Sequence, residues 1–159
     1  MNGITSFYQN HQDWGTLDLT DEAIFPKKNP VHIEYCSGNG QWIIEKAKNN
    51  PNINWIAVEY LFDRARKIWL KKHNYGLKNL FVVFGEASCF TKYYLKDDSI
   101  SNIFINFPDP WPKKKHIKNR LVNPCFMTEV SRVVQKNGEA TLVTDDDDAK
   151  DWMAEACIS

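Results

Sequence analysis

Val31-His32-Ile33-Glu34-Tyr35-Cys36-Ser37-Gly38-Asn39-Gly40 reads as a short apolar strand running into a turn of small residues. The strand closes on an acid, and two glycines follow where the backbone must pass close to a ligand. Behind the turn, Trp42, Ile43, Ile44 and Ala47 recur at helical spacing until Asn49-Asn50-Pro51 stops the helix. Strand, glycine turn and helix make the opening unit of a parallel α/β sheet.

The same alternation continues downstream. Ile53 to Val58 predicts a second strand closing on Glu59, and 61–74 a helix with Ala65, Ile68 and Trp69 inward, ended by Gly76. Leu80 to Phe84 is a third strand, followed by a weaker helical stretch near Thr91. Ile103 to Ile105 is a fourth, running into Asn106-Phe107-Pro108-Asp109-Pro110-Trp111-Pro112. A helix over 121–134 places Phe126, Val130 and Val133 at core spacing. Asn137-Gly138 then turns the chain into a fifth strand, Ala140 to Thr144, and a last helix covers 149–158. Strands alternating with helices imply right-handed crossovers and a doubly wound, mostly parallel sheet covered on both faces. Residues 1–30 lack strong periodicity and end in Pro26-Lys27-Lys28-Asn29-Pro30. They read as an N-terminal arm that packs against the domain or frays, with one domain over 31–159.

Composition bounds the class. The chain has 159 residues, nine Phe, six Trp, six Tyr and 43% hydrophobic residues, enough for one real core and too apolar for disorder. Twenty basic residues balance twenty acidic ones, but the sum hides segregation: residues 61–80 carry six cations against Asp63 alone, and 145–159 carry six acids against Lys150. Cys36, Cys89, Cys125 and Cys157 form no Cys-x-x-Cys pair, so no structural metal is expected. The absence of a secretory pattern predicts reduced thiols and a cytoplasmic protein, and no apolar run approaches the roughly 18 residues of a membrane span.

In open parallel sheets, ligands bind at the carboxyl ends of the strands. Here each strand is closed or followed by an acid: Glu34, Glu59, Glu86, Asp109 and Asp145. Five acids at one rim suit a ligand with hydroxyls and a cationic group. The first turn does not suit pyrophosphate, because Ile43 stands where a dinucleotide loop needs its third glycine. A nucleoside fits better, with Glu59 able to accept both ribose hydroxyls.

Glu34 to Gly40 is similar to the Glu-x-Gly-x-Gly-x-Gly pattern of S-adenosylmethionine-dependent methyltransferases with the seven-stranded, Rossmann-like fold, with Cys36 in place of the first glycine. Asn106-Phe107-Pro108-Asp109-Pro110-Trp111-Pro112-Lys113-Lys114-Lys115-His116 strongly resembles the signature of the bacterial tRNA (guanine-N7-)-methyltransferase family. The match continues at Arg120-Leu121, Phe126, Gly138-Glu139 and Thr144-Asp145, covering about residues 31–153. The resemblance implies methyl transfer from S-adenosylmethionine to N7 of a guanine in tRNA, in the variable loop. It implies five of seven strands present here and the C-terminal two missing. It assigns cofactor binding to Glu34, Gly38, Gly40, Glu59, Glu86 and Asp109, catalysis to Asp109, and substrate contact to Lys113 and Asp145. Glu86 replaces the family's usual Asp.

The chemistry agrees with that assignment. Guanine N7 keeps a free lone pair at neutral pH, so transfer needs alignment rather than a general base. Asp109, held in a proline-stiffened segment, can orient the base or stabilise positive charge arriving on the ring. Residues 113–120 hold five Lys or Arg side chains, a cationic run that suits a phosphate backbone. Lys114, Lys115, His116, Lys118 and Arg120 are therefore candidate RNA contacts. The cations of 61–80 read first as an exposed helix face, with a wider RNA footprint as the alternative. Asp146 to Asp148 read as a helix start. The competing functions are a same-fold methyltransferase acting on a small molecule or protein, and a catalytically impaired RNA-binding relative.

Overall fold

The computed structural model describes residues 4–7, 16–111 and 114–158, with the backbone alone for 4–7 and Lys114. Among them, β1 (Ile4–Phe7), β2 (Val31–Tyr35), β3 (Asn54–Glu59), β4 (Leu80–Gly85), β5 (Ile100–Asn106) and β6 (Val134–Val143) form one sheet. The order is β1-β4-β3-β2-β5-β6, and every neighbouring pair is parallel. Five helices connect them: α1 (Gln41–Asn49), α2 (Phe62–Asn74), α3 (Ala87–Tyr94), α4 (Pro124–Val133) and α5 (Asp147–Ile158). The chain winds outward from β2 through β3 to β4, then returns to lay β5 against the other side of β2. The switch point therefore lies between β2 and β5.

Each face of the sheet has its own core. Ile33, Tyr35, Ile56, Val58, Ile103 and Ile105 pack with Phe90 and Tyr94 of α3, Phe126 and Val130 of α4 and Met153 of α5. On the opposite face, Trp55, Ala57 and Val82 pack with Ile43, Ile44 and Ala47 of α1 and Ala65 and Ile68 of α2. β3 is buried along its whole length, which explains why its sequence is an apolar run rather than an alternation.

Four features differ from the sequence reading. Residues 4–7, within the expected N-terminal arm, form an edge strand paired with Val82–Gly85 of β4. Backbone hydrogen bonds make such a pairing, so side-chain periodicity does not announce it. The segment after it packs, with Phe25 buried and the Leu17 N–H donating to the Tyr94 carbonyl at 2.7 Å. α4 begins at Pro124 rather than 121, because the Asn123 side chain accepts the Phe126 N–H at 3.0 Å and Pro124 occupies the first turn. Asn137-Gly138 is not a turn before β6 but lies in a register break within it, where Ile100 pairs with Val134 and Asn102 with Glu139. Gly138 is required there, since a Cβ would collide with the Ser101 carbonyl oxygen. Finally, Lys114–Asn119 forms a 3₁₀ helix. Among the described residues, no helix is long and apolar enough to cross a membrane.

Candidate active site

β2 ends at Tyr35, and the chain reverses through Cys36, Gly38 and Gly40 at φ of 59°, 55° and 76°. Cys36 therefore adopts the left-handed conformation a glycine takes freely, at a cost of roughly 1–2 kcal/mol. The turn is held from inside and outside. The Gly40 N–H donates to the Ser37 carbonyl at 2.8 Å, and Ser37 Oγ donates to the Glu34 carbonyl at 3.0 Å. From β3, Glu59 Oε2 accepts the Gly38 N–H at 2.7 Å and Oε1 accepts the Leu61 N–H at 2.9 Å. Glu59 thus latches the turn to the neighbouring strand. Each carboxylate oxygen accepts two hydrogen bonds, so a second position on each remains for ligand hydroxyls. Gly40 has a different reason than the one read from sequence. A Cβ there would lie 2.6 Å from Ile68 Cγ1, so its close approach is to α2.

Glu34 is 2% exposed. Its Oε1 accepts from Asn106 Nδ2 at 3.0 Å, and Oε2 has no partner among the described residues. Burial pushes its pKa up, the Asn106 amide and the nearby Ser37 hydroxyl hold it down, and the charge of Glu59 pushes it up again. Glu86 follows β4 and caps α3, its two oxygens accepting the Ser88 and Cys89 N–H groups at 2.9 and 2.7 Å. The Glu86 carboxylate implied to bind the cofactor is thus fixed by the helix end it caps. The Cys36 thiol reports how these acids are grouped. Burial, then the charges of Glu59, Asp109, Glu34 and Glu86, push its pKa up to about 12. Four of the five strand-end acids, from four strands, are therefore within electrostatic reach of one thiol.

Asp109 is exposed in the loop after β5. Phe107 at φ 50° and Trp111 at φ 43° bracket that loop, and two non-glycine residues in the left-handed region mark stored strain. The Phe107 N–H donates to the Val143 carbonyl at 2.8 Å, so the loops leaving β5 and β6 run side by side. This puts exposed Asp145 on the same rim, although it is not among the acids acting on Cys36. Asp146, next to it, caps α5 by accepting the Ala149 N–H at 2.7 Å.

The cationic run divides. Lys113 lies outside the described residues. Lys115 and Lys118 are exposed on the 3₁₀ helix, and His116 meets the Trp111 ring edge-on at 5.5 Å. Arg120 is committed to the fold: its Nε donates to the Pro110 carbonyl at 3.1 Å and its guanidinium lies 4.8 Å over Trp152. On α2, Lys71 Nζ donates to the Asn39 carbonyl at 2.8 Å, tying that helix to the first turn. Asn106 is the residue that sequence reasoning missed. It opens the quoted signature, but its bond to Glu34 needs β5 beside β2. Among the described residues, no group of His, Cys, Asp and Glu could hold a metal ion.

A family profile described as "Putative methyltransferase" matches residues 28–158. The chain is 49% identical over 135 residues to a tRNA (guanine-N(7)-)-methyltransferase of Chlamydia caviae, covering 85% of this chain and 59% of that one. A protein of the same name from Listeria welshimeri is 40% identical over 124 residues, covering 78% of this chain and 58% of the relative. The chain thus spans somewhat under two thirds of the length of these relatives. Among solved structures, a SAM dependent methyltransferase from Aquifex aeolicus matches with a TM-score of 0.57 at 18% identity, over 77% of this chain and 60% of that one. A geranyl diphosphate C-methyltransferase from Streptomyces coelicolor A3(2), solved with S-adenosyl-L-homocysteine, matches with a TM-score of 0.59 at 8% identity, over 73% and 37%. The fold is that of Rossmann-like methyltransferases.

Proposed function

As the chain belongs to the methyltransferase family whose curated relatives are named tRNA (guanine-N(7)-)-methyltransferase, we propose that it methylates N7 of a guanine in tRNA, with S-adenosylmethionine as donor. The observation that carries this reading is the grouping of Glu34, Glu59, Glu86 and Asp109 around the first turn, with a buried Glu34 oxygen left unpartnered. The residues fit the cofactor. Glu34, Glu59, Glu86 and Asp109 would present an acidic basin to its cationic ammonium and sulfonium, and Glu59 would accept from its ribose hydroxyls. Glu86 and Gly38 complete the rim on which the nucleoside rests.

When bound, S-adenosylmethionine supplies an electrophilic methyl group. Asp109 does the rest of the chemistry by placement. The strained, proline-braced loop holds its carboxylate at the rim, where it orients the guanine N–H edge or offsets the positive charge arriving on the ring. It removes no proton, because N7 is already unprotonated. Exposed Lys115, Lys118 and Asp145 supply the RNA contacts, and Lys113 and Lys114 join them as candidates from the sequence alone. The lysines attract phosphates, and this favours RNA over a small-molecule substrate.

The test measures S-adenosylhomocysteine binding by calorimetry and tritiated methyl transfer into tRNA transcripts. The protein is expected to bind the ligand and to label tRNA but not a transcript whose variable-loop guanine is replaced by adenosine. Asp109→Asn is expected to lower transfer about 100-fold while the ligand still binds. Equal labelling of both transcripts would sink the site assignment, and no ligand binding would sink the function.

A further inference from the structure

Glu34 is buried, yet half of its carboxylate is unused. Oε1 is held by Asn106 Nδ2 at 3.0 Å, while Oε2 has no donor among the described residues. The nearby Ser37 hydroxyl is engaged with the Glu34 main-chain carbonyl at 3.0 Å. A buried acceptor with no donor is costly, so Oε2 has the capacity to accept a further hydrogen bond.

Strand order makes Asn106 the residue that reaches it. Glu34 pairs in register with Phe104 of β5, and Asn106 lies two residues further along the same face. This is the switch point, where the loops after β2 and β5 leave in opposite directions and open a crevice. The chemistry of asparagine matters as much as its place. A neutral amide can donate to Oε1 without cancelling the negative charge, as a lysine would, and without adding another acid, as an aspartate would.

We propose that Asn106 is a positioning residue that orients the Glu34 carboxylate and reserves Oε2 for the ammonium of the cofactor's amino-acid portion. The inference rests on the methyltransferase reading and deepens it. Among the described residues, no cation acts on Glu34. Glu59 faces it from β3, and Cys36 follows it in the turn, with Asp109 and Glu86 beyond the ends of β5 and β4. His32, two residues back on the same face of β2, is packed 4.9 Å from the Trp55 ring, and burial holds its pKa down. Neither ion pair among the described residues involves Glu34. In this reading the ligand supplies the positive charge that matches Oε2.

The experiment compares wild type, Asn106→Leu and Asn106→Ser, using S-adenosylhomocysteine and 5′-methylthioadenosine, which lacks the amino-acid portion. Calorimetry is run across pH. Asn106→Leu is expected to bind S-adenosylhomocysteine about tenfold more weakly near neutral pH, with the gap narrowing as pH rises. The reason is that Glu34, without its amide donor, ionises only at higher pH. Methylthioadenosine affinity is expected to change less than about twofold, and Asn106→Ser, which keeps a donor, to fall between the two. An infrared carboxyl titration of the unliganded proteins, with Glu34→Gln as the blank, reads the same displacement without any ligand. Equal weakening for both ligands at every pH, or an unmoved Glu34 titration in Asn106→Leu, overturns the proposal. Wild type binding neither ligand overturns the cofactor reading beneath it, whereas normal wild-type binding with an indifferent Asn106→Leu overturns this inference alone.

Discussion

Gly38 and Gly40 both turn the chain at positive φ, yet a methyl group added to each meets different surroundings. At Gly38 the nearest atom is the Cys36 carbonyl oxygen at 4.0 Å, so alanine pays only for the left-handed backbone, roughly 1–2 kcal/mol. At Gly40 the Cβ lies 2.6 Å from Ile68 Cγ1 and 3.2 Å from two further carbons of that side chain. Overpacking adds about 1–3 kcal/mol there. Gly40→Ala is therefore expected to be the more destabilising by at least about 1 kcal/mol, read as a larger fall in the urea midpoint at unchanged slope. Equal losses would mean that Ile68 relaxes freely. Cys36 belongs to the same turn and keeps the glycine-like φ of 59° despite its side chain, so the family pattern survives there in conformation though not in residue type.

The 3₁₀ helix Lys114–Asn119 is held between two anchored points. Trp111 meets His116 before it, and Arg120 after it binds the Pro110 carbonyl and covers Trp152 of α5. Lys115 and Lys118 on this element are exposed, whereas Arg120 after it is held by the fold, a division that charge counting along the sequence cannot make. Replacing Lys114, Lys115 and Lys118 together by alanine is expected to weaken tRNA binding and reduce the slope of log affinity against log salt by about two to three. Arg120→Ala is expected to leave that slope nearly unchanged and to lower thermal stability instead. A slope that falls with Arg120 and not with the lysines would reverse the assignment.

Across the whole molecule, burial of Glu34 sets stability against function. Its folded pKa is raised, first by burial, so folding favours the protonated form. The contribution is fully present below the ordinary glutamate range and is lost as pH rises through the raised folded value. At pH 8 the carboxylate is therefore a liability to the unliganded protein. Glu34→Gln is expected to melt higher than wild type at pH 8, with the difference closing as pH falls, while S-adenosylhomocysteine binding is lost. A difference in melting temperature that does not depend on pH would show that the Glu34 charge is not its cause. A ligand cation at Oε2 would offset the same liability, coupling cofactor binding to stability.

Strand-end acids, the glycine turn and the strand–helix alternation were legible because each is written in neighbouring residues: period-two or period-3.6 apolar spacing, breakers, and an acid after each strand. The identity of Glu34, Glu59, Glu86 and Asp109 as a set needed only the rule that such ends share one rim. The bond from Asn106 to Glu34 joins residues 72 apart and exists because β5 returns to lie beside β2. The β1 edge strand, the Gly40 contact with Ile68 and the Arg120 clamp on Trp152 have the same origin. By itself the sequence determined the elements, their order along the chain and the acids at their ends, since local propensity and patterning act over a few residues. Only the tertiary structure decided which acid is latched, which caps a helix and which keeps an oxygen free, because those roles depend on packing between distant segments.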